Sequence, residues 1–89
     1  MDKKLVRVTW IDASDPDTLG WHSDDEVDKF SDDKVEVTSV GYIKSSTKLY
    51  MTLVADYIEN GDGSYTWGRP TKIPNGMIVK TEELVVKET

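Results

Sequence analysis

The 89-residue chain has no cysteine, one histidine, one phenylalanine and three prolines. Without cysteine there is no disulfide framework, thiolate zinc site, iron–sulfur cluster or cysteine nucleophile. A single histidine cannot build a histidine metal cluster. His22 beside Ser23 and Asp24 is no triad either, since adjacency in sequence is not geometry and no nucleophile elbow surrounds it. No stretch approaches the ~18 consecutive apolar residues of a membrane span. Met1-Asp2-Lys3-Lys4-Leu5 leads into a strand-like run and not into an apolar signal core. A small secreted domain is usually stapled by disulfides, so the composition points to a cytoplasmic protein, in the host cytoplasm if the source is viral. Positive charge is scarce in one region. Residues 12–33 hold nine carboxylates against one base, Lys29, whereas residues 34–89 hold seven acids and seven bases within an overall net charge of −6. Such a segment repels phosphate backbones, so direct nucleic-acid binding is not expected.

What is present reads as one small β domain over residues 1–89. Its core spans 5–84, an acidic loop and helix occupy 12–33, and a polar tail occupies 85–89. Leu5 to Ile11 alternates with a period of two, setting Val6, Val8 and Trp10 on one face of a strand. Asp12 to Gly20 is rich in turn formers. Ser23-Asp24-Asp25-Glu26 matches a helix capping box, with aspartates in the first turn where the helix dipole favours them. Val27 and Phe30 give a helix over 23–31 one apolar stripe, and Trp21 is placed to pack just before the cap. From Lys34 the period returns to two. The parity changes between Val35/Val37 and Val40/Tyr42, which suggests a bulge near Ser39. After a turn at Lys44–Thr47, Leu49, Met51, Leu53, Ala55 and Tyr57 alternate through a further strand. Asn60-Gly61-Asp62-Gly63 signals a hairpin, Ser64–Lys72 a strand, Ile73–Gly76 a tight or 3₁₀ turn, and Met77–Thr81 a last strand. The expected fold is mainly β (a small α+β domain). It is a five-stranded, strongly bent barrel of the SH3-like or Sm-like type, with one short helix between the first two strands, a closure that hides strand edges.

Few motifs carry chemistry. Asp15, Asp17, Gly20, Ser23 and Glu26 fall at positions 1, 3, 6, 9 and 12 of a calcium-binding EF-hand loop. Leu19 at position 5 offers no ligand oxygen, a strand replaces the entering helix, and the capping box already explains Ser23 and Glu26. No metal site or cofactor is therefore assigned. The carboxylates of 12–33 have no apolar surroundings to separate their pKa values, as acid–base catalysis requires. Gly61-Asp62-Gly63 is a hairpin turn and not a phosphate loop, because no helix or lysine follows in the required order. Tyr42, Tyr50, Tyr57, Tyr65 and Trp67 concentrate in the three central strands. Cross-strand aromatic pairing accounts for most of them. Tyr50 has the outward parity, however, and with Trp67, Arg69 and Lys72 it is a candidate stacking and phosphate-binding surface for a nucleotide-like ligand at a subunit interface.

Val8-Thr9-Trp10-Ile11-Asp12, Gly20-Trp21-His22, Ser39-Val40-Gly41-Tyr42-Ile43 and Ile73-Pro74-Asn75-Gly76-Met77-Ile78 resemble landmarks of uncharacterised small bacteriophage and prophage accessory proteins, over most of residues 5–84. The resemblance implies a viral accessory protein acting on a host system, and it supplies no active site. The sequence thus leads to a non-enzymatic binding module that self-associates and takes a protein partner, with Asp15, Asp17, Asp24, Asp25 and Asp28 steering a basic surface. Two other readings stand beside it: a protein that sequesters a nucleotide-like ligand, and a structural component of a virion or its assembly.

Overall fold

The computed structural model describes residues 3–13 and 20–87. Five antiparallel strands form one sheet: β1 (Leu5–Asp12), β2 (Val35–Ser46), β3 (Tyr50–Glu59), β4 (Tyr65–Pro74) and β5 (Ile78–Glu83), in the order β4-β3-β2-β1-β5. A single helix, α1 (Asp24–Asp32), lies between β1 and β2, and a 3₁₀ turn over Asn75–Met77 joins β4 to β5. The domain is mainly β with one short helix. No helix among the described residues is long and apolar enough to cross a membrane.

Strand β2 is shared between two halves of the molecule. Its residues 35–42 pair with β1, and its residues 42–46 pair with β3, so that the two ladders overlap at Tyr42. The remaining ladders join β1 to β5 and β3 to β4. The sheet bends at this handover, and side chains from both of its ends meet in one core. Val6 and Val8 of β1, Leu53 of β3 and Ile73 of β4 are buried there, with Trp10, Ile43, Met51 and Ile78 packed around them. The Val6–Val8–Trp10 face expected from the period-two pattern is the face that is buried. Val54 is also buried, although it follows Leu53 directly and so points to the other side of β3, where Tyr42 and Pro70 are its cross-strand neighbours.

The bulge expected near Ser39 lies elsewhere. The β1–β2 register runs unbroken from Leu5↔Tyr42 to Asp12↔Val35, with Val8 opposite Ser39. The register shifts instead between Ile43 and Ser45 in the β2–β3 ladder, and between Thr9 and Trp10 in the β1–β5 ladder. The inner face of β2 is Val37, Ser39, Gly41 and Ile43, and its small middle residues make room for neighbours. Trp10 Nε1 donates to Ser39 Oγ at 3.0 Å, laying the indole across the serine. At Gly41, an added Cβ would stand 2.8 Å from the carbonyl oxygen of Val54 and 3.4 Å from Leu53 Cβ. Val40, of the opposite parity to these inward residues, is exposed.

Turns are fixed by side chains. Thr47 Oγ1 accepts from the backbone N–H groups of Leu49 and Tyr50, closing the β2–β3 turn. Asn75 then stitches this turn to the 3₁₀ segment: its Nδ2 donates to the Thr47 carbonyl, and its backbone N–H to the Leu49 carbonyl, both at 2.8 Å. The β3–β4 turn carries Gly61 and Gly63 at φ +84° and +91°, values that an L side chain resists. In β4, Arg69 adopts φ +50°, the one non-glycine residue with positive φ among those described.

Candidate functional site

Helix α1 begins as its sequence dictates. Ser23 is the N-cap, and its Oγ accepts from the backbone N–H of Glu26 at 3.3 Å. The Glu26 carboxylate takes the Ser23 hydroxyl at 3.2 Å and lies 3.2 Å from His22 Nδ1. These hydrogen bonds, that from His22 foremost, hold Glu26 below the usual glutamate pKa. Trp21 does not pack before the cap. It is fully exposed, and the half-buried His22 occupies the position next to the helix. No residue of α1 is buried, Val27 is 47% exposed, and the helix packs against none of the strands to any extent comparable with the strand–strand contacts. The molecule accordingly measures 58 × 27 × 27 Å with a radius of gyration of 17.6 Å, against about 12 Å for a compact chain of this length.

Of the five aspartates expected to steer a partner, Asp24, Asp25 and Asp28 lie on this helix and are exposed, while Asp15 and Asp17 lie outside the described residues. Asp32 and Asp33 extend the acidic surface to the helix end, and Lys29 is its only base. The EF-hand pattern of 15–26 falls partly outside the described residues. Within them, no three acidic or histidine side chains converge on a point that would hold a metal ion.

The structure does not bring Tyr50, Trp67, Arg69 and Lys72 together as one ligand surface. Lys72 Nζ sits 4.3 Å over the Tyr50 ring, near the β2–β3 turn. Trp67 is paired with Tyr57, seven residues further along β3, which is roughly 23 Å at strand rise. Arg69 is committed to Asp56, with Nε to Oδ2 at 2.8 Å and Nη2 to Oδ1 at 3.1 Å. That bidentate pair holds the aspartate pKa down and the guanidinium pKa up. Gly68 leaves room for it: a Cβ there would meet Asp56 Cβ at 3.2 Å and its Oδ2 at 3.3 Å, tight enough that the aspartate would have to shift.

The better-organised cluster gathers Tyr42, Tyr57, Tyr65 and Trp67 around Lys3. Tyr57 meets Tyr42 edge-to-face with ring centroids 5.2 Å apart, and Tyr65 stacks on Trp67 at 5.2 Å. Lys3 enters from the chain end. The ladder with β2 begins at Leu5↔Tyr42, and the Ile43 N–H donates to the Lys4 carbonyl at 2.9 Å, so the chain just before β1 runs alongside the cluster. Lys3 Nζ lies 4.4 Å from the Tyr57 ring centroid and 4.5 Å from that of Tyr65. It donates to Tyr65 Oη at 3.1 Å and Glu59 Oε1 at 3.2 Å, with its own side chain only 15% exposed. The bond to Tyr65, with a smaller contribution from Glu59, raises the lysine pKa against the opposing effect of burial. Lys44 Nζ sits 5.0 Å over Trp67. No family model matches the chain, and no curated protein or solved structure matches it. The aromatics of this cluster stand out in the sequence, but Lys3 does not. Its partners are 56 and 62 residues away, and only the successive pairing of β1 with β2, β2 with β3 and β3 with β4 brings it to them.

Proposed function

We propose that the protein is a non-enzymatic binding module that presents the acidic α1 segment, with Trp21 at its head, to a basic surface on a protein partner. The observation that carries this reading is the fully exposed Trp21 beside an unpacked helix. An isolated nine-residue helix is marginal in water, since helices in proteins draw most of their stability from packing an apolar face. Here Trp21 is fully exposed and Val27 about half exposed. Tryptophan is among the residues that most often dominate a binding interface, and the surrounding carboxylates select for positive charge and speed encounter.

The order β4-β3-β2-β1-β5, with a 3₁₀ turn before β5 and a core shared by both sheet ends, supports an SH3-like or Sm-like barrel as the fold type. Among the described residues, the outer strands β4 and β5 each keep one backbone edge without a strand partner, which favours self-association. Following the resemblance to phage accessory proteins, the partner is a host protein met in the cytoplasm. The nucleotide-sequestering reading is the weaker one, because its four residues are apart and Arg69 is already paired. The test is affinity purification from host cells with wild type, Trp21→Ala, and a variant carrying asparagine at Asp15, Asp17, Asp24, Asp25 and Asp28. A specific partner should be retained by the wild type, lost from both variants, and released by raising salt from about 0.05 to about 0.5 M. Equal recovery of that partner by the five-asparagine variant would sink the claim.

A further inference from the structure

We propose that the aromatic cluster of Tyr42, Tyr57, Tyr65 and Trp67, closed by Glu59, is a recognition site for a lysine side chain of another chain, and that Lys3 occupies it as an exchangeable internal ligand. This site is separate from the α1 segment and does not depend on it.

Three observations carry the proposal. The site is built for a lysine and not merely for a positive charge. Two ring faces flank the ammonium, the Tyr65 hydroxyl and the Glu59 carboxylate accept its protons, and the side chain is 15% exposed, stem included. Aromatic faces attract cations through the ring quadrupole, most strongly where water is excluded. The cluster also gathers more positive charge than its one carboxylate calls for: Lys44 stands over Trp67 while Lys3 lies between Tyr57 and Tyr65. Finally, Lys3 lies outside the strands and there is space beside it. The β1–β2 ladder starts two residues later, so withdrawing Lys3 costs no ladder pair. A cavity of about 170 Å³, lined by Glu59, Gly61, Gly63, Ser64 and Tyr65, opens next to the same carboxylate and ring. An incoming lysine arriving through this cavity meets Glu59 first and replaces Lys3 at the rings.

An internal occupant reduces the apparent affinity for any competitor by the fraction of time the site is free. If Lys3 fills the site about nine-tenths of the time, removing it raises that affinity about tenfold. The experiment titrates acetyl-Gly-Lys-Gly-amide, and the same peptide with norleucine for lysine, into the wild type and Lys3→Ala. Binding is followed by nuclear magnetic resonance shifts of the Tyr57, Tyr65 and Trp67 ring protons. We expect Lys3→Ala to bind the lysine peptide about tenfold more tightly than the wild type, with the norleucine peptide inert. Adding Glu59→Gln, a change at an exposed residue that leaves the rings in place, should reverse most of the gain. Unchanged affinity in Lys3→Ala would overturn the proposal. So would equal binding of the norleucine peptide, which would make the cluster an apolar cleft and not a cation site.

Discussion

Replacing Gly41 with alanine tests the account of how the sheet turns its corner. Gly41 is buried in β2, one residue before the handover from β1 to β3 at Tyr42. Its backbone is not in the left-handed region, so alanine meets no conformational strain of its own and should gain about 0.4–1 kcal/mol by stiffening the unfolded chain. Against this, the new Cβ would sit 2.8 Å from the Val54 carbonyl oxygen, with Leu53 Cβ at 3.4 Å. Ordinary contact begins near 3.4 Å, so β2 and β3 must part by about half an ångström. The atom in the way is backbone, and it cannot rotate aside as the end of a side chain would. Overpacking of this kind costs about 1–3 kcal/mol, and here it falls where both halves of the core meet, which places it at the upper end. The net loss is about 1–2 kcal/mol. At about 4–8 °C per kcal/mol for a domain of this size, Tm should fall by roughly 5–15 °C. Thermal and urea unfolding followed by circular dichroism would measure it. Gly76→Ala serves as the control, since a Cβ there meets nothing within 4 Å and its φ is not positive; it should be neutral or slightly stabilising. A Gly41→Ala protein as stable as the wild type would refute the close-approach argument.

Arg69 offers a contrast between strain and charge. Its φ of +50° costs an L residue about 1–2 kcal/mol, and its solvent-exposed, screened pair with Asp56 offsets only part of that. Arg69→Gly should therefore match the wild type in stability and exceed Arg69→Ala by about 1 kcal/mol in urea unfolding, the reverse of the usual order in a strand. Asn75→Ala removes the side-chain bond to the Thr47 carbonyl and should cost about 1 kcal/mol, with faster amide exchange at the β2–β3 turn. The depressed pKa values of Glu26, Asp56, Asp62 and Glu82 mean that the unfolded chain binds protons first as pH falls. Their stabilising contribution is complete above about pH 4.5 and is lost as pH drops through the lower folded-state values. An acid titration at fixed temperature should show a stable plateau above that range and a decline below it, and Glu82→Gln should flatten the decline.

Much of the fold is legible in the alternation of side chains. Val6, Val8 and Trp10, the Asn60–Gly63 turn and the serine cap of α1 each announce an element through local chemistry, and each lies where that chemistry puts it. The change of parity in β2 is a different matter. A bulge and a pair of small inward residues leave similar patterns, and only the partners Trp10 and Val54 show that Ser39 and Gly41 are the inward ones. Trp21 was misplaced for a related reason. A large apolar residue before a helix cap normally packs on the helix, but α1 offers it no covered surface. Parity along a single strand places Tyr50 outward but says nothing about its separation from Trp67. Lys3 was invisible because its role depends on strand pairing across most of the chain.

The pairing of β1 with both β2 and β5 also governs the order in which the chain can be completed. The Leu84 N–H donates to the Leu5 carbonyl at 2.8 Å, closing a contact between segments far apart in the sequence. While the chain is emerging from a ribosome, β1 has one edge taken by β2 and the other open. Its pairs with β5 must wait until that strand has been made. For that interval the nascent domain is a four-stranded sheet missing its clasp, and a β5 from a neighbouring copy has the same sequence as the one still to come.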